Sequence, residues 1–114
     1  MYTVVETPVY TAKVEKILTD DEREAFAAFI ARNPQAGSVV RGSGGIRKVR
    51  WARKGQGKRG GTRVIYYNRL DKGEIWLLTL YAKSNRSTIP AHELKLIKEV
   101  MDRDQEKGNE PRGR

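Results

Sequence analysis

The hydrophobic period of the chain changes near Gly37, and this change most limits the folds that the chain can adopt. Before Gly37, apolar residues recur at helical spacing, whereas after it they alternate along short segments. Eight of the eleven glycines lie between Gly37 and Gly61, which indicates turns rather than helix. A second helical pattern follows Pro90. This order predicts an α+β domain in which two N-terminal helices and a C-terminal helix pack on a small twisted antiparallel sheet.

The N-terminal third is predicted to contain one strand and two helices. Tyr2 to Glu6 is rich in β-branched residues and favours a first or edge strand, after which Pro8 opens a short helix. Thr19 and Glu22 have the spacing of a capping box, which predicts the start of a second helix. That helix should end near Asn33, because the residue before a proline is pushed out of the α region.

Three strands and a last helix are predicted in the rest of the chain. The strands span 46–53, 62–70 and 74–82, and the turn at 71–73 predicts that the last two pair as antiparallel neighbours. In the last helix we expect a buried stripe of four residues, Leu94, Ile97, Val100 and Met101. The expected organisation is one domain over residues 1–106, with a disordered tail over 107–114.

The net charge of +9 is concentrated in one region of the chain. Residues 25–70 hold eleven Lys and Arg and no Asp or Glu, whereas the remainder carries a net charge of −2. Such a balance favours a phosphate polymer as partner, because neutralised phosphates release counterions. The absence of cysteine and the single histidine, His92, predict a protein without a metal or other cofactor. No apolar run could span a bilayer and no signal peptide is apparent, so a cytoplasmic protein without a membrane partner is expected.

The most specific feature is a cationic, glycine-rich segment at 47–63 that joins two predicted strands. Alternation places Val49 and Trp51 on one face of the first strand, and Lys48 and Arg50 on the other. Glycines let backbone amides approach a phosphate, and Arg and Lys bind its oxygens. RNA cleavage without a metal needs activation of the 2′-hydroxyl, stabilisation of a charged phosphorane and protonation of the 5′-oxygen, and cations can serve such a reaction. Five aromatic residues could stack on bases, although most are expected in the core: Trp51, Tyr66, Tyr67, Trp76 and Tyr81.

Three motifs resemble the HigB branch of the RelE-type toxins, and the likeness covers nearly the whole chain. They are the runs at 42–50 (GSGGIRKVR), 54–67 (KGQGKRGGTRVIYY) and 77–83 (LLTLYAK). The resemblance implies an endoribonuclease that cuts mRNA in the ribosomal A site and is held inactive by a HigA-like helix-turn-helix antitoxin. Lys48, Arg50 and Arg63 match the catalytic cations of such enzymes. Seven further cations are expected to bind RNA: Arg47, Arg53, Lys54, Lys58, Arg59, Lys83 and Arg86.

The sequence departs from the family pattern after the last strand. In the enzyme that gives the family its name, an Arg follows the Lys that closes this strand, and a Tyr lies six residues further on. Here these positions are Ser84 and Pro90. The general acid is therefore open, with Tyr66, Tyr81 and Arg86 as candidates.

Two other functions are compatible with the same sequence. A ParE-like toxin would have this fold but bind DNA gyrase and leave RNA intact. A non-enzymatic RNA-binding module would use the same charge without catalysis. The acid-free stretch of residues 25–70 favours RNA over a protein partner.

Overall fold

The structure is a computed structural model that describes residues 2–51, 61–82 and 89–109, with side chains of the last segment described as far as Arg103. Three helices pack on a five-stranded sheet, which confirms the predicted α+β class. A short 3-10 turn at Leu70–Lys72 joins the fourth and fifth strands. The elements in chain order are β1 (Thr3–Glu6), α1 (Pro8–Ile17), α2 (Asp20–Arg32), β2 (Ser38–Val39), β3 (Arg47–Trp51), β4 (Thr62–Arg69), β5 (Glu74–Ala82) and α3 (Ala91–Asn109).

Both N-terminal helices begin at a threonine that caps free backbone amides. The Thr7 side chain accepts a hydrogen bond from the Tyr10 amide at the start of α1. At α2, the Glu22 amide donates to Thr19 Oγ1 over 3.2 Å and the Thr19 amide donates to Glu22 Oε1 over 2.8 Å. This reciprocal pair confirms the predicted capping box.

The strand order is β1-β5-β4-β3-β2. The predicted antiparallel meander of β3, β4 and β5 is confirmed. However, β1 pairs with β5 in parallel, so the sheet is mixed rather than wholly antiparallel. At the other edge lies β2, a two-residue strand that the sequence analysis did not predict. Both differences concern the sheet edges, where pairing depends on tertiary contacts rather than on a local turn.

The two faces of the sheet carry separate apolar cores. On one face, α1 and α2 cover Val49, Val64 and Tyr66, and we call this the α1/α2 face. On the other, Leu94 and Met101 of α3 join a second cluster that contains Ile46, Ile65, Leu78 and Tyr81, and we call this the α3 face. The sheet therefore lies between two layers of helix.

A β-bulge in β5 adjusts which residues reach the α3 face. Ile65 pairs with Thr79, but the next residue, Tyr66, pairs with Leu77, so Leu78 is an extra residue on β5. Leu78 is buried in the α3-face cluster, and Thr79, the partner of Ile65, lies on the same face. The bulge therefore changes the alternation of β5 and sets which β5 side chains lie beside β4 on each face.

The last helix differs from the prediction in its buried stripe. Leu94 and Met101 are buried and Ile97 is partly buried, as predicted, but Val100 is 50% exposed. Val100 lies one turn from the exposed Leu96, on the side of α3 away from the sheet. The helix runs to Asn109. Among the described helices, none combines the length and apolarity needed to cross a membrane.

Candidate nucleic-acid interface

Three of the predicted site residues lie together on the α3 face. Arg50 of β3 is directly opposite Arg63 of β4, and Lys48 is opposite Ile65, one step along the same face. Directly opposite residues of an antiparallel pair have Cβ atoms about 4.5–5.5 Å apart, and alternate residues of a strand lie about 7 Å apart. We call Lys48, Arg50 and Arg63 the basic cluster. Arg50 is exposed, and the other two are half-buried.

The sequence orients the basic cluster by burying the residues that alternate with it. Val49 and Val64 are opposite one another and pack in the core under α1 and α2. Because side chains alternate across a strand, burial of this valine pair directs Lys48, Arg50 and Arg63 to the other face. A slip of one residue would move the charges into the apolar core, so the register is strongly determined.

A tight turn before β3 fixes where this strand starts. Ser43 is buried, and its Oγ donates to the Val40 carbonyl over 2.6 Å and accepts from the Ile46 amide over 3.0 Å. The glycines on either side of Ser43 have φ of +80° and +83°, a region that residues with a Cβ rarely adopt. The motif that supports the family resemblance therefore has a structural role, because it holds the strand that carries Lys48 and Arg50.

Helix α3 borders the basic cluster and is held by polar contacts beside the turn that precedes β3. Lys98 Nζ lies 5.0 Å from the centre of the Tyr67 ring and donates to Asp102 Oδ2 over 2.7 Å. The hydrogen bond with Asp102 raises the pKa of Lys98 above its ordinary value. Asp102 also lies 3.8 Å from Arg69 Nη1. These contacts hold α3 over the part of the face beyond Lys48.

The structure does not bring Arg47 into the basic cluster. Arg47 lies opposite Tyr66, whose ring is in the α1/α2 core, and Arg47 Nη1 donates to the Gly37 carbonyl over 2.6 Å. The other six cations expected to bind RNA lie outside the described residues: Arg53, Lys54, Lys58, Arg59, Lys83 and Arg86.

The candidates for proton transfer differ in their surroundings. Tyr66 is buried on the α1/α2 face, where its hydroxyl donates to the Pro34 carbonyl and accepts from the Gly37 amide. Burial raises the pKa of Tyr66, so this phenol is poorly placed for proton exchange. Tyr81 lies directly opposite Arg63 on the α3 face and is 7% exposed. His92 is exposed in the first turn of α3.

The five aromatic residues are mostly core, as expected. Trp51 packs with Phe26 and Phe29 at centroid distances of 5.3 Å on the α1/α2 face. Tyr67 and Trp76 are half-buried neighbours beside α3. A surface pocket of about 520 Å³ beside Tyr2 and Phe29 is not lined by any residue of the basic cluster. Arg50 of the basic cluster is exposed, and cations at the surface suit a phosphate polymer as partner.

This arrangement defines a class of protein: a small α+β domain whose central strands present guanidinium and ammonium groups beside a C-terminal helix. The family model described as the RelE toxin of the RelE/RelB toxin-antitoxin system matches residues 12–110, and the chain belongs to this family. A solved structure of the E. coli toxin RelE, a double mutant in the free state, superimposes with a TM-score of 0.59 at 11% sequence identity. The match covers 85% of this chain and 96% of the RelE chain, and it shows the same fold.

Proposed function

We propose that this chain is the endoribonuclease toxin of a type II toxin-antitoxin system, of the HigB type, that cuts mRNA in the ribosomal A site without a metal. The single observation that carries the proposal is the basic cluster on the α3 face, in a chain of the RelE toxin family. The toxin acts in the cytoplasm as one domain, and a HigA-like helix-turn-helix antitoxin inhibits it.

The proposed reaction is an internal transesterification of RNA. The 2′-oxygen attacks the adjacent phosphorus and loses its proton, while the bond from phosphorus to the 5′-oxygen breaks and that oxygen gains a proton. The products are a 2′,3′-cyclic phosphate and a 5′-hydroxyl. Charge accumulates on the phosphorane, so cations fixed before the reaction stabilise the transition state more than the ground state.

Arg50 and Arg63 suit this task because they lie opposite one another on rigid paired strands. A guanidinium keeps its charge at any physiological pH and offers several donors in a fixed plane. Among the described residues, no group of three His, Asp or Glu side chains is placed to hold a metal ion. The cations are thus the groups to which we assign charge stabilisation, and the proton donor is not assigned.

The proposal is tested by mapping cuts in a message on programmed ribosomes by primer extension. The toxin is first treated with EDTA and then added to ribosomes whose magnesium is kept constant. We expect cuts at the A-site codon with ribosomes and far fewer in free mRNA. Absence of cutting together with inhibition of gyrase would support the ParE-like function instead, and binding without cutting would support an RNA-binding module.

A further inference from the structure

We propose that the basic cluster holds two successive phosphates of the RNA: Arg50 and Arg63 bind the reacting phosphate, and Lys48 binds its neighbour along β3. The inference rests on the proposed function and adds the path of the RNA along β3. It divides the three cations into two roles: the two arginines act in the chemical step, and the lysine positions the RNA strand.

The spacing of the cluster supports two phosphate positions. Arg50 and Arg63 share one register position, whereas Lys48 lies one step away, opposite Ile65. Alternate residues of a strand are about 7 Å apart, which is comparable to the separation of neighbouring phosphates in an extended single strand. An RNA strand that follows β3 would therefore meet the arginine pair and then Lys48.

The chemistry of the two phosphates supports the same division. A phosphodiester carries one negative charge and its phosphorane carries two, so guanidinium groups on the reacting phosphate act mainly in the transition state. An ammonium group on the neighbouring phosphate meets the same single charge throughout the reaction, so it acts mainly on binding.

Helix α3 closes the RNA track, which is the path along β3 past the arginine pair and Lys48, at the end beyond Lys48. Ile46 is the next residue on the same face and is fully buried in the cluster that contains Leu94 and Met101. Gly44 and Gly45 lie against Lys98 and Tyr67, so the turn and α3 occupy the surface beyond Lys48. The strand must leave the face there, and within the described residues the track along β3 accommodates two phosphates.

The test neutralises one phosphate at a time by methylphosphonate substitution in a ribosome-bound message, where the codon fixes the register. The two positions are the phosphates immediately 5′ and 3′ of the mapped cut, combined with wild type and Lys48→Ala. We expect one of them to reduce cleavage by wild type about tenfold or more, as for a charge-assisted hydrogen bond. The same neutralisation should have little further effect in Lys48→Ala.

Matched variants separate this role from a structural one. Lys48→Arg keeps the charge and should restore the coupling, and Lys72→Ala removes an exposed cation far from the cluster and should behave as wild type. Lys48→Ala should mainly raise KM, whereas Arg63→Ala should mainly lower kcat. The inference would be overturned if each neutral phosphate reduced cleavage equally in wild type and in Lys48→Ala. It would also be overturned if Lys48→Ala lost as much kcat as Arg63→Ala. Failure of wild type to cut the unmodified message would instead overturn the proposed function.

Discussion

At the scale of single residues, Gly37 fastens the α2–β2 connection to the two strands that carry the basic cluster. Its amide donates to the Tyr66 hydroxyl, and its carbonyl accepts from Arg47. A Cβ at this position would lie 2.6 Å from the carbonyl oxygen of Lys48. Only glycine therefore allows the α2–β2 connection to approach β3 this closely.

Replacing Gly37 with alanine should destabilise the protein by about 1–3 kcal/mol, because the added methyl group would meet backbone that cannot move freely. Gly73→Ala is the matched control. Gly73 has a φ of +72°, but a Cβ there meets nothing within 4 Å, so the cost is conformational strain of about 1 kcal/mol. Urea unfolding of both variants measures the difference, and a smaller loss for Gly37→Ala than for Gly73→Ala would contradict this account.

The face of the sheet on which the basic cluster lies could be predicted from alternation alone, whereas the residues opposite it on the neighbouring strands could not. Counting back along β4 from the Arg69–Glu74 pair at the turn would place Arg63 opposite Leu80. The bulge shifts the register by one, so Arg63 is opposite Tyr81 instead. The bulge places the consecutive residues Leu78 and Thr79 on the same face, and no local turn signal in the sequence indicates it.

At the scale of elements, α3 is held to the sheet by a small apolar stripe and one group of charges. Leu94 and Met101 are buried, and Asp102 connects Lys98 and Arg69. The sequence predicted this helix from its apolar spacing, but Leu96 and Val100 have the same spacing and are exposed. Only tertiary packing decides which of two adjacent stripes faces the sheet. The two edge strands were equally difficult to predict, since β2 is too short for a pattern and the partner of β1 is distant in sequence.

Asp102→Ala should loosen α3 locally while leaving the rest of the fold intact. The side chain of Asp102 is 37% exposed, so solvent screening limits the expected loss to less than about 1 kcal/mol. Hydrogen exchange should be faster for the amides of α3 and unchanged for those of β4. The control is Glu99→Ala, which removes an exposed carboxylate from the same helix. Unchanged exchange in α3 of Asp102→Ala would show that the apolar contacts alone hold the helix.

At the scale of the whole molecule, two buried tyrosines limit stability at alkaline pH. Burial is the main cause that raises the pKa of Tyr10 and Tyr66 above the ordinary value of 10.0. Their hydroxyls stay protonated in the folded protein at pH values where the unfolded chain ionises. Their stabilising contribution is complete below about pH 10 and is lost as the pH rises toward the folded-state pKa.

We therefore expect the free energy of unfolding to fall steadily above pH 10, with little change from this source between pH 7 and 9. Tyr10→Phe should make the fall shallower, because phenylalanine does not ionise in the unfolded chain. Urea unfolding at a series of pH values measures the slope, with Tyr2→Phe as the control at a less buried tyrosine. An unchanged slope in Tyr10→Phe would remove Tyr10 from the explanation.

The central claim is that the cations on the α3 face accelerate RNA cleavage because they stabilise the phosphorane transition state. The most direct measurement compares the cleavage rates of wild type, Arg63→Ala and Lys72→Ala in ribosome-bound message at equal ribosome occupancy. We predict that Arg63→Ala cuts about 100-fold or more slowly while its binding changes far less, and that Lys72→Ala cuts as wild type does. Equal cutting by Arg63→Ala and wild type would contradict the claim.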